Sequence, residues 1–90
     1  MSSSCRYSVC RLHCDEFEDI RELDRESRRA LKVFLQLHTH ELLMECMDDR
    51  FRTFEDAESF ANMVYRKDNS GDVIAIYDWL NKEWISSWFI

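Results

Sequence analysis

The sequence predicts an α+β domain, an antiparallel sheet with helices packed on one face. Three observations carry this reading. Residues 72–78 (Asp-Val-Ile-Ala-Ile-Tyr-Asp) and 83–90 (Glu-Trp-Ile-Ser-Ser-Trp-Phe-Ile) are β-branched and aromatic runs with Asn81-Lys82 between them, the pattern of a β-hairpin. Residues 54–66 carry apolar groups at helical spacing behind a capping signal. Residues 5–12 partly alternate, with Cys5, Tyr7 and Val9 opposed to Arg6 and Ser8, which predicts an N-terminal strand.

The segments between these follow in order. Over 15–37, Phe17, Ile20, Leu23, Leu31 and Phe34 recur at three- and four-residue spacing, so a helix is predicted. Asp15 is its candidate cap, and Glu16, Glu18 and Asp19 suit the positive end of the helix dipole. Leu31, Val33, Leu35 and Leu37 also alternate, which leaves a strand over 31–38 as the competing reading. Thr39 is a candidate cap for a second helix over 40–50, where Leu42, Leu43, Cys46 and Met47 form a stripe, although 41–47 also alternates in part. Thr53-Phe54-Glu55-Asp56 resembles a capping box and opens the helix over 54–66; Phe54, Ala57, Ala61 and Val64 are its apolar side. Asp68-Asn69-Ser70-Gly71 is the stop and turn.

Ninety residues suffice for a single domain, 1–90, with 1–4 as a tail. One glycine and no proline exclude collagen-like and Gly/Pro-rich disordered classes. No apolar run approaches the roughly 18 residues of a membrane span. The first 14 residues lack the apolar core of a secretion signal, so a reducing, cytoplasmic setting is expected, with the four cysteines as free, metal-free thiols.

The net charge is −6, from 12 basic and 18 acidic residues. The acid is blocked: residues 15–26 and 41–58 each carry seven carboxylates against two arginines, while Arg28, Arg29 and Lys32 make the one basic cluster. Phosphate binding needs the opposite sign, so direct nucleic-acid binding is not expected. An acidic surface suits a protein partner with a basic face, because complementary potentials speed encounter. Glu18, Asp19 and Glu22 are the candidate residues for that encounter.

Motifs for catalysis are missing. One glycine cannot build a phosphate-cradling loop or a nucleophile elbow. Cys14 with His13, and Cys46 with His40, are poorly placed as catalytic pairs on a strand and a helix. The carboxylates are spaced as a solvated helix face. Neither an enzyme nor a cofactor is expected. The alternative is a zinc-stabilised binding module using Cys5, Cys10, His13 and Cys14, although four residues intervene between the first two ligands and no second Cys/His pair follows at the usual distance. His38 and His40 suit backbone hydrogen bonding better than metal.

The C-terminal hairpin is rich in aromatics, with Tyr77, Trp79, Trp84, Trp88 and Phe89. Trp and Tyr are the usual anchors of interfaces. Trp79, near the turn, is the expected partner-binding anchor, while Trp84 and Trp88, evenly spaced, are expected on one core-facing side. Apolar groups on both faces of the hairpin exceed what one helix layer covers, which predicts a homodimer. In size, charge and lack of catalytic motifs the chain resembles the small acidic proteins with which bacteriophages inhibit host-defence enzymes, such as anti-CRISPR and anti-restriction proteins. The resemblance implies a non-catalytic inhibitor acting on a host protein or nucleic-acid-binding enzyme. Arg21, Arg25, Arg28 and Arg29 interrupt the acidic rows, against strict DNA mimicry.

Overall fold

A computed structural model describes residues 6–16, 28–45 and 50–90. The fold is α+β, with a four-stranded antiparallel sheet and three helices among the described residues. The strands are β1 (Tyr7–Leu12), β2 (Arg50–Phe51), β3 (Val73–Asp78) and β4 (Glu83–Phe89), in the spatial order β2-β1-β3-β4. The helices are α1 (Arg28–Leu37), α2 (Thr39–Glu45) and α3 (Phe54–Val64). The N-terminal strand and the C-terminal hairpin form as the alternating runs predict.

The helices do not share one face. Along β3, Val73, Ala75 and Tyr77 pack with Cys10 and Leu12 of β1 against Leu31, Phe34 and Leu35 of α1 and Leu42 of α2. Ile74 and Ile76 pack on the other face with Val9, Ala57 and Ala61, beneath α3. The physical reason is the composition of β3, in which every position from Val73 to Asp78 is buried. A strand apolar on both faces needs a cover on each.

Local signals account for most boundaries. Thr53 caps α3, its hydroxyl accepting the Asp56 N–H at 3.1 Å. The segment 31–38 is helical apart from its last residue, because its buried positions, Leu31, Phe34 and Leu35, follow the helical period and not alternation. The first half of the predicted helix over 15–37 falls outside the described residues from 17 to 27; Asp15 and Glu16 lie in a turn in which the Glu16 N–H donates to His13 O at 3.0 Å.

Thr39 has a different role from that expected. Its hydroxyl donates back to Leu35 O at 2.8 Å, closing the end of α1, and accepts the Trp84 indole N–H at 3.0 Å. The second helix ends its described course at Glu45, and Arg50, expected at that helix's end, instead begins β2. Two residues carry no readable period; β2 exists because Tyr7 and Ser8 offer a free edge to Phe51 and Arg50.

The hairpin closes with Lys82 in the left-handed region at φ 55°, and Gly71 at φ 83° supplies the same conformation before β3. Between the pairs Ile76–Ser86 and Tyr77–Trp84 one residue, Ile85, has no opposite number. This β-bulge shifts the alternation of β4. Trp84 therefore enters the α1 face and Trp88 the α3 face, correcting the expectation that their even spacing puts them on one side.

Cys10 is disulfide-bonded, its partner lying outside the described residues, and it is buried in the core; Cys14 is free. This overturns the expectation of four free thiols, which rested on compartment and not on which cysteines the fold brings together. Thiol titration of unreduced, denatured protein is expected to count no more than two of the four cysteines; a count of four would refute the bond. Ile76→Ala, at the wholly buried centre of β3, is expected to cost about 2–5 kcal/mol in chemical denaturation.

Candidate functional site

β4 is the outer strand of the sheet, so among the described residues no strand pairs with its far side. An outer strand directs a row of backbone N–H and C=O groups away from its sheet. A groove of about 670 Å³ runs along it. Its floor is Trp84 to Ile90, one wall is α1 at Leu31 and Lys32, and the other is the loop after α3 at Lys67 and Asn69. That loop is tied to the strand end by the Asn69 N–H, which donates to Ile90 O at 2.7 Å. α1 rests on β4, whereas α3 rests on β1, β2 and β3. Trp88, on the α3 face, is consequently half-buried and contributes to the groove. Ser86 and Ser87, with small side chains, also line it.

The predicted site residues fall elsewhere. Glu18, Asp19 and Glu22 lie outside the described residues. Trp79 is half-buried and held in place: its indole N–H donates to Ser8 Oγ at 2.7 Å, its ring meets Tyr77 at 5.3 Å, and Arg50 sits 4.5 Å above it. Such a residue closes the sheet's end around the hairpin turn. Trp84 is core, as expected. The sequence reading missed Lys32 and Lys67 as a pair, because 35 residues separate them along the chain and only the packing of α1 and the loop against β4 brings both to one groove.

The described residues of the zinc alternative are engaged otherwise. Cys5 is outside the described residues, and Cys10, being disulfide-bonded, has no thiolate to donate. His13 and Cys14 are drawn instead to Asp72. The carboxylate of Asp72 accepts Arg11 Nε and Nη2 at 2.9 and 2.7 Å on Oδ2 and the Cys14 N–H at 3.0 Å on Oδ1, with His13 Nδ1 3.1 Å from Oδ2. The Cys14 thiol donates to Ser70 O at 3.3 Å. At the other end of β3, Asp78 is met by Arg6 through two bonds of 2.9 Å and by the Leu80 N–H at 3.0 Å. Among the described residues no group of three or more His, Cys, Asp or Glu side chains could hold a metal ion, and none of His13, Cys14 or Asp72 lines the groove.

No protein-family model, curated protein or solved structure matches this chain.

Burial alone would raise the Asp72 pKa, but the Cys14 N–H and the Arg11 guanidinium outweigh it and lower the value from 3.8 to about 2. A carboxyl depressed on folding stabilises the native state above its unfolded value and loses that contribution as pH falls through its folded value. The Asp72 contribution, about 2 kcal/mol, is thus complete above about pH 4 and disappears toward pH 2. Asp72→Asn is expected to be less stable than the parent at pH 7, with a smaller loss on acidification from pH 4 to 2, read by urea denaturation across that range. An unchanged acid dependence would refute the assignment.

Proposed function

We propose that this chain is a small, acidic, non-catalytic protein-interaction module, and that its docking element is the outer edge of β4. The observation that carries the reading is an outer strand left unpaired among the described residues and lying at the floor of a groove. Extended segments bind such edges through main-chain hydrogen bonds, with side-chain pockets adding selectivity. No helix among the described residues is long and apolar enough to cross a membrane. A cytoplasmic protein partner is the reading put forward.

The net charge of −6 supports an encounter with a basic face of that partner, Glu18, Asp19 and Glu22 contributing to long-range attraction. Size, charge and the absence of catalytic motifs support an inhibitor of the bacteriophage type, directed at a host protein. Zinc stabilisation is the weaker reading, because one of its four ligands is committed to a disulfide.

The test compares single variants in affinity capture from the native cell, quantified by mass spectrometry. Ile85 is partly exposed on the bulge of β4, whereas Leu80 is 70% exposed in the hairpin turn. A genuine partner is expected to be lost with Ile85→Lys and retained with Leu80→Lys. Charge reversal at Glu18, Asp19 and Glu22 is expected to slow its association at low salt and weaken the salt dependence. A partner retained by Ile85→Lys would place docking away from β4.

A further inference from the structure

We infer that Cys10 is joined to Cys46 by a disulfide, a covalent staple between β1 and the end of α2. Cys10 is disulfide-bonded and Cys14 is a free thiol, so of the chain's four cysteines Cys5 and Cys46 are the possible partners. A disulfide requires its two Cα atoms to lie within about 7 Å of each other. The strand excludes Cys5 on that ground. Arg6 is fixed in the sheet by two backbone bonds, its N–H donating to Phe51 O at 2.9 Å and its carbonyl accepting the Trp79 N–H at 2.8 Å. Cys10 stands opposite Ala75 on the same extended run. At about 3.3 Å per residue, the Cα atoms of Arg6 and Cys10 are about 13 Å apart. A Cα next to Arg6 in the chain is about 3.8 Å from it, and therefore no nearer than about 9 Å to that of Cys10.

Packing favours Cys46. Cys10 is buried in the cluster that also holds Leu42 of α2, and α2 rests on β1. Position 46 directly follows Glu45, where α2 ends its described course, and stands four places after Leu42, the interval at which helical residues share a face. The bond forms by thiol–disulfide exchange with an oxidant of the disulfide class. One cysteine thiolate attacks the oxidant, giving a mixed disulfide and releasing one thiol; the other thiolate then displaces the second thiol. Two electrons and two protons leave the chain, and the oxidant departs as two thiols. The loop so closed, residues 10–46, includes the whole of α1 and the described α2, the two helices that cover this face of β3. Closing a loop of that length removes conformational freedom chiefly from the unfolded chain, which stabilises a domain too small to rely on its core alone.

The experiment uses the full chain purified without reductant, alkylated in denaturant at mildly acid pH and digested with trypsin. Cleavage after arginine and lysine leaves the four cysteines in four different peptides, 1–6, 7–11, 12–21 and 33–50. Mass spectrometry is expected to find 7–11 linked to 33–50, with 1–6 and 12–21 alkylated. Linkage of 7–11 to 1–6, to 12–21 or to a second copy of itself, or its recovery in alkylated form, would overturn the pairing. In urea denaturation without reductant, Cys46→Ser is expected to raise the unfolding equilibrium constant about 30- to 1,000-fold, while Cys5→Ser leaves it close to the parent's. A dithiol reductant is expected to bring the parent to the stability of Cys46→Ser. Should Cys46→Ser fail to fold, the parent with and without reductant supplies the same comparison. A parent equally stable in both conditions would overturn the staple.

Discussion

The structure depends on one constraint, the burial of β3 on both faces. Val73 to Tyr77 present apolar groups alternately to two clusters, and neither cluster can be left in water. Each fully buried Val or Ile contributes about 1.5–3 kcal/mol relative to exposure, so a cover on each face is worth several such terms. In ninety residues this leaves little to spare. α1 and α2 close one side and α3 the other, with α3 resting chiefly on β1, β2 and β3. The partly covered outer strand is thus a consequence of how the core is divided.

Polar pairing defines the ends of the same strand. Asp72 and Asp78 flank the apolar run and are both buried, and each is matched by an arginine, Arg11 of β1 and Arg6 just before it respectively. A buried carboxylate without partners is strongly unfavourable, so these pairs oppose any slip of β1 along β3. The hydrogen bonds from Arg6 lower the Asp78 pKa against the effect of its burial. No buried side-chain polar atom among the described residues lacks a hydrogen-bond partner. His13 and Cys14, which suggest chemistry when read in a row, serve this junction at Asp72.

Net charge and local charge diverge at the candidate docking edge. The acid that dominates the composition lies in residues 15–26 and 41–58, whereas the charged side chains that line the groove among the described residues are Lys32 and Lys67. Long-range attraction follows the sum of charges, which governs encounter.

Local rules alone determined much of this protein. Thr53 stopped the chain and opened α3 by a capping bond three residues long, and the alternating β-branched runs at 72–78 and 83–90 made the hairpin, because both signals act between near neighbours. The helical spacing of Leu31, Phe34 and Leu35 likewise prevailed over a weaker alternation. Tertiary structure decided what depends on distant residues. β2 is two residues with no period of their own, formed by an edge that β1 provides. The bulge at Ile85 sends Trp84 and Trp88 to opposite faces against their even spacing, and Trp79 is drawn to Ser8, 71 positions away. Thr39 turns its hydroxyl to Leu35 and Trp84 because α1 ends directly beneath β4. The groove itself was not legible, since a lysine on α1 and a lysine after α3 become neighbours of one strand only when the two faces of β3 have been covered.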